Sequence, residues 1–135
     1  MTESVVVEQD EDLYEKLGAG FFQVMVMELN RALKESGVDA AGVRQEVCSR
    51  FGYGMGNFID QYWIEIDGKK HYPRICFATD CLYNSPREVE PVQFPPAEFD
   101  HHYVAEEVAV TFFEHQAEQL EGIHIGAVED RNPHE

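Results

Sequence analysis

The chain has 135 residues, with 26 Asp and Glu against 10 Lys and Arg, a formal net charge of −16. Such a balance argues against nucleic acid or an anionic membrane as a partner. The length suits a single α+β domain over 1–135 with 1–10 and 129–135 as disorder-prone ends, and three cysteines at no metal-like spacing (Cys48, Cys76, Cys81) fit a reducing compartment. No apolar run is long enough to span a bilayer and the first residues lack the features of a signal peptide, so a cytoplasmic location is expected.

In chain order, the acidic lead carries one β-prone patch, Val5-Val6-Val7, expected to add a strand to the central hairpin or to stay loose. From Glu11 the spacing predicts a helix. Leu13, Leu17, Phe21, Met25, Leu29 and Leu33 recur every fourth residue, and Phe22 and Val26 widen the stripe. Gly18 and Gly20 weaken its start and imply either a break or a close crossing by another element. Ser36-Gly37 closes it, with glycine taking the left-handed position. A second helix follows at once, with Asp39 as N-cap, Val38 and Val43 as a hydrophobic staple, and Val43, Val47 and Phe51 as its stripe. Joined by so short a link, the two helices are expected to pack as a hairpin.

Gly52, Gly54 and Gly56 alternate with large side chains and predict a flexible connector. A phosphate-cradling loop is disfavoured, because these glycines follow a helix and no lysine closes the motif.

Residues Gln61 to Ala78 give the strongest strand signal. Tyr62, Ile64 and Ile66 alternate with Trp63 and Glu65, and Asp67-Gly68 tolerates the positive backbone angles of a tight turn. A two-residue loop pairs Ile66 with Lys69, and a four-residue loop pairs Ile66 with His71. Both place Ile64, Ile66, Ile75 and Phe77 on one apolar face, the expected floor for the helices. Trp63 and Tyr72 fall on the opposite face, and Pro73 assigns its strand to an edge. The aromatic cluster of Phe51, Tyr53, Phe58, Tyr62, Trp63, Tyr72, Phe77 and Tyr83 is expected to be mostly core.

Pro86, Pro91, Pro95 and Pro96 then predict a long surface connection. The last helix is predicted from Ala97 to Glu121, with Val104, Val108 and Phe112 as its buried face and Ala105, Ala109, Phe113 and Leu120 flanking. No Lys or Arg occurs between Glu88 and Glu121, so its outer face is acidic. Ile123 to Val128 reads as a short strand.

Cys48 and Cys76 read as small core hydrophobes, and neither they nor Ser49 and Ser85 sit in a recognisable nucleophile setting. Glu98 with His101, and Glu121 with His124, have a Glu-x-x-His spacing, but both pairs lie at opposite ends of one helix, where a shared metal is out of reach. The commitment from sequence is thus an α+β protein: two N-terminal helices, a central antiparallel hairpin, a proline-rich connection and a C-terminal helix. Its expected role is an interaction module without cofactor or catalysis. A cationic partner meets Glu106, Glu107, Glu114 and Glu118, with Trp63 and Tyr72 as aromatic anchors. Immunity proteins and inhibitors of nucleic-acid enzymes use such complementarity, an analogy of charge alone. Two alternatives stand beside it: a metal-dependent or small-molecule enzyme using His101, His102 and Glu106, and a homodimer joined through the hairpin edge or the Trp63 face.

Overall fold

The computed structural model describes residues 7–79, 92–115 and 123–126. They form, in order, β1 (Val7–Glu8), α1 (Glu11–Glu35), α2 (Ala41–Gln61), β2 (Ile64–Ile66), β3 (Lys69–His71), β4 (Val92–Gln93) and α3 (His101–His115). The α+β class holds, with two helices ahead of an antiparallel hairpin and a third near the C-terminus. Cys81, Tyr83, Pro86, Pro91, Glu118, Leu120 and Glu121 lie outside the described residues, as do 1–6 and 129–135.

α1 starts where an acceptor meets its orphan amides. The Asp10 carboxylate accepts from Leu13 N at 3.1 Å, and Glu11 and Asp12 add negative charge at the positive end of the helix. It ends in a Schellman arrangement, with Gly37 at φ 96°, Gly37 N donating to Lys34 O at 3.1 Å and Val38 N to Leu33 O at 2.9 Å. Replacing the cap, Asp10→Ala, is expected to cost about 1 kcal/mol in urea unfolding, while Asp12→Ala costs a few tenths at most. Equal losses from both would show that the cap bond is idle.

In its N-terminal half the buried face of α1 is rotated from the stripe expected, while Met25, Leu29 and Leu33 pack against the core as that stripe predicts. Tyr14, Gly18, Phe22, Gln23 and Val26 are buried, whereas Leu13 and Phe21 are 41% and 40% exposed. Gly18 is the reason: a Cβ there would lie 3.3 Å from Phe99 Cζ, so the Phe99 ring enters where α1 has no side chain. Gly20 has the same relation to Ile123, whose Cγ2 would be 3.3 Å away. Of the two explanations for these glycines, close crossing is correct.

α2 runs unbroken through Gly52, Gly54 and Gly56, which overturns the connector predicted there. Four residues apart, Gly52 and Gly56 share one face and both are buried against α3. A Cβ on Gly52 would meet Ala105 Cβ at 3.5 Å, and one on Gly56 would meet His102 Cα at 2.5 Å. The helix propensity lost at these positions, about 1 kcal/mol each, is offset by the backbone contact they permit. The N-cap is Ala40, without a side-chain bond, and not Asp39. Arg44 ties the link instead, donating to Val38 O, Asp39 O and Asn30 Oδ1 at 2.9, 2.8 and 2.8 Å.

The core lies among the three helices: Phe22 and Val26 of α1, Cys48 of α2, and Ala105, Val108 and Ala109 of α3. The hairpin is not its floor. Asp67 and Gly68, at φ 53° and 76°, form a two-residue turn that pairs Ile66 with Lys69, Glu65 with Lys70 and Ile64 with His71, the first of the two registers expected. Pairing stops at His71, however, so Ile75 and Phe77 leave the hairpin, and every residue from Gln61 to Tyr72 is exposed. Phe51 and Tyr53 are exposed too, so the aromatic cluster is mostly surface.

A second small sheet forms from segments the sequence kept apart. β1 pairs in parallel with β4, Val7 beside Val92, and Phe77 bridges the other side of Gln93 with bonds of 3.1 and 2.8 Å. The Val7 patch therefore joins β4 and not the hairpin. Cys76 is exposed and off any strand, Pro95 is buried, α3 begins four residues later than Ala97, and 123–126 form no strand. Among the described residues no helix is long and apolar enough to cross a membrane.

Candidate functional site

Where the C-terminus of α2 meets the N-terminus of α3, one carboxylate organises the surrounding groups. Asp60 occupies the stripe of Gly52 and Gly56, one turn further on, and so faces α3. Its Oδ1 accepts from His101 Nδ1 at 2.7 Å, and its Oδ2 accepts from His102 N at 3.0 Å and His102 Nδ1 at 2.5 Å. A carboxylate only accepts, so each ring nitrogen facing it carries the proton. The anion also sits at the positive end of α3, capping that helix from a neighbour.

Behind His101 the chain of bonds continues. Tyr14 Oη lies 3.0 Å from His101 Nε2 and donates to Ile75 O at 2.7 Å. The hydroxyl has one proton and the carbonyl needs it, so His101 Nε2 is a donor to the phenol oxygen. His101 thus bridges Asp60 and Tyr14 through its two ring nitrogens. Burial pushes the Tyr14 hydroxyl well above its usual range, with Cys76 and Asp60 adding to the effect, so it stays a phenol. For Asp60, burial alone would raise the carboxyl, but the bonds from His102 and His101 outweigh it and hold the group below its ordinary value. The rings of Tyr14, Phe99 and His101 pack edge to face, with Phe99 4.8 Å from each of the other two.

His102 differs from its neighbour. Its ring lies 5.2 Å from Tyr53 and 4.2 Å from Tyr103, and its Nε2 has no hydrogen-bond partner among the described residues.

A cavity of ≈ 220 Å³ opens beside Asp60 and His101. It is lined by Pro95, Pro96, Ala97 and Phe99 together with Tyr72, Pro73 and Arg74 at the base of the hairpin.

The chain matches no family model, no curated protein and no solved structure. Its site is accordingly read from geometry.

Of the residues singled out from sequence, His101 and His102 do come together, on Asp60. Glu106 lies elsewhere, exposed at a shallow depression with Ser49, Arg50, Tyr53 and Gly54. Glu107 and Glu114 are exposed on α3, and Glu118 is outside the described residues. Trp63 and Tyr72 are exposed on one face of the hairpin, where Lys70 Nζ lies 4.4 Å above the Trp63 ring. Sequence reading missed Asp60, Asp100 and Tyr14. The signal for Asp60 was its place in the Gly52–Gly56 stripe, visible only once those glycines are read as helical.

Proposed function

We propose that this protein is a protein-interaction module, in which the hairpin supplies aromatic anchors and the acidic face of α3 draws a cationic protein partner. The observation that carries the reading is the uncovered hairpin: Tyr62, Trp63, Ile64, Ile66 and Tyr72 are 44% to 61% exposed, on both of its faces. A two-stranded ribbon buried on neither side is marginal in water, and large exposed apolar groups at a single projection mark an interaction surface. Trp and Tyr are the residue types that most often anchor interfaces, because each buries a large rigid area at small entropic cost.

Charge selects the partner. Glu106, Glu107 and Glu114 are exposed, and α3 has no Lys or Arg from His101 to His115. On a chain of net charge −16, such a face attracts a basic surface over a Debye length of about 8–10 Å and repels an acidic one.

The test is affinity capture from the source cell, followed by reconstitution of the captured protein with the purified chain. The reading expects a basic partner, affinity that falls as salt rises, and a further fall when Glu106, Glu107 and Glu114 are changed to Gln. Trp63→Ala is expected to weaken the complex by about 2 kcal/mol, roughly thirtyfold. These side chains are exposed, so the variants fold. An acidic partner, binding indifferent to salt and to Trp63, or sedimentation showing that the hairpin is occupied by a second copy of the chain, would each refute it.

A further inference from the structure

We infer that Asp60, Asp100 and His102 form a binding site for one divalent first-row transition-metal ion, a property independent of the interaction reading above. One nitrogen of His102 and one carboxylate oxygen from each aspartate lie within 4.8 Å of one another, close enough for a single ion to touch all three once it replaces the proton that His102 Nδ1 now donates to Asp60 Oδ2.

Three features make this more than a chance meeting of acids. The first is charge. His101 and His102 hydrogen-bond to Asp60, but the Asp100 carboxylate has no hydrogen bond or ion pair among the described residues. No Lys or Arg occurs from Glu88 to Glu121 to supply one locally. Two carboxylates held near each other in so acidic a chain repel, and a cation between them relieves that.

The second is support behind the ligands. Asp60 is fixed through His101 and Tyr14 to the Ile75 carbonyl, the relay of outer bonds that orients ligating carboxylates in metal sites. The backbone contact at Gly56 fixes His102 in turn, since its Cα lies where a Cβ on Gly56 would be 2.5 Å away. Ligands held on two packed helices lose little freedom on binding. The third is access: Asp100 is exposed while His102 is buried, so the group faces water on one side only.

The donor set selects the metal. One imidazole with two carboxylates suits zinc or manganese better than calcium or magnesium, which prefer oxygen alone. Zinc should bind more tightly than manganese, following the usual order of divalent affinities. Three protein ligands leave further positions to water.

The experiment uses full-length protein stripped with a chelator, then titrated with Zn²⁺, Mn²⁺ or Mg²⁺ alone by calorimetry and native mass spectrometry. The expected result is one Zn²⁺ per chain, weaker Mn²⁺ and no measurable Mg²⁺. Asp100→Asn should weaken Zn²⁺ on the order of a hundredfold, and His102→Gln at least as much. Asp100 is exposed, so its variant stays folded even where a change at Asp60 does not. Glu106→Gln, His71→Gln and His124→Gln should leave the affinity unchanged. The site is refuted by the absence of a one-to-one ion, by Asp100→Asn binding like the parent chain, or by loss of binding in any of those last three variants.

Discussion

Gly56→Ala is expected to destabilise the protein by about 3 kcal/mol or more, while Gly54→Ala, two residues away in the same helix, stabilises it by up to about 1 kcal/mol. The two substitutions are chemically identical and both improve local helix propensity. They differ in what the new methyl group meets. At Gly54 there is nothing within 4 Å. At Gly56 the methyl would be 2.5 Å from His102 Cα, 2.7 Å from His102 N and 2.8 Å from the His101 carbonyl carbon. Those are backbone atoms, so no side chain can rotate away. α3 has to shift, and it carries both histidines off Asp60 as it does so. Gly52→Ala should fall between the two, since its methyl meets Ala105 at an ordinary 3.5 Å. Thermal unfolding checks the order: Gly54→Ala highest, Gly52→Ala intermediate, Gly56→Ala lowest by on the order of 10 °C. If Gly56→Ala melts with the parent chain, the close packing of α2 on α3 is wrong.

That glycine stripe also shows where the sequence was readable and where it was not. Signals read over a few residues held up: Asp67-Gly68 as the hairpin turn, Gly37 as the stop of α1, and Val108, Ala105 and Ala109 on the buried side of α3. Each is settled by its neighbours in the chain. Signals settled by distant partners did not. Gly52 and Gly56 read locally as a helix-breaking connector, because the value of a missing side chain appears only when another helix lies against it. Leu13 and Phe21 continue a regular apolar spacing, yet Tyr14 and Gly18 face inward because Phe99, some eighty residues later, occupies that space. Isolated hydrophobicity likewise puts Ile64 and Ile66 inside, when among the described residues they are 50% and 59% exposed.

The site divides along the same line. His101 and His102 were visible as a pair of chemistry-bearing residues, and helical spacing offered Glu106 as their carboxylate. The carboxylate that receives them is Asp60, 41 and 42 residues earlier. A single Asp near the end of a helix reads as solvated, and only tertiary packing reveals that it stands at the N-terminus of a different helix. The partners of this carboxylate lie on another element.

Changing that carboxylate should produce the largest loss of all. Asp60→Asn keeps the shape of the side chain but removes its charge, and turns an NH₂ group toward one of the histidine N–H donors. His101, which bridges Asp60 and Tyr14, is then a buried polar ring without its carboxylate acceptor. Removing one partner of a buried pair costs about 3–5 kcal/mol, because the other is left uncompensated. The bond from His102 N at the start of α3 is weakened as well. Pairing the change with His101→Phe should recover part of the loss, since the stranded ring donor goes too, and a double-mutant cycle would show coupling of that sign.

The pH dependence follows from the direction of the Asp60 shift. Its carboxyl is held below the ordinary range in the folded chain, so folding favours the ionised form. The contribution is fully present above the unfolded carboxyl value of about 3.9 and is lost as pH falls through the folded value below it. In chelator, the stability gap between the parent chain and Asp60→Asn should therefore close progressively as pH falls below about pH 4. Urea unfolding at stepped pH measures it. A gap that persists undiminished in acid would mean that the Asp60 charge contributes nothing, and that the three helices are held by Gly52, Gly56 and the apolar core alone.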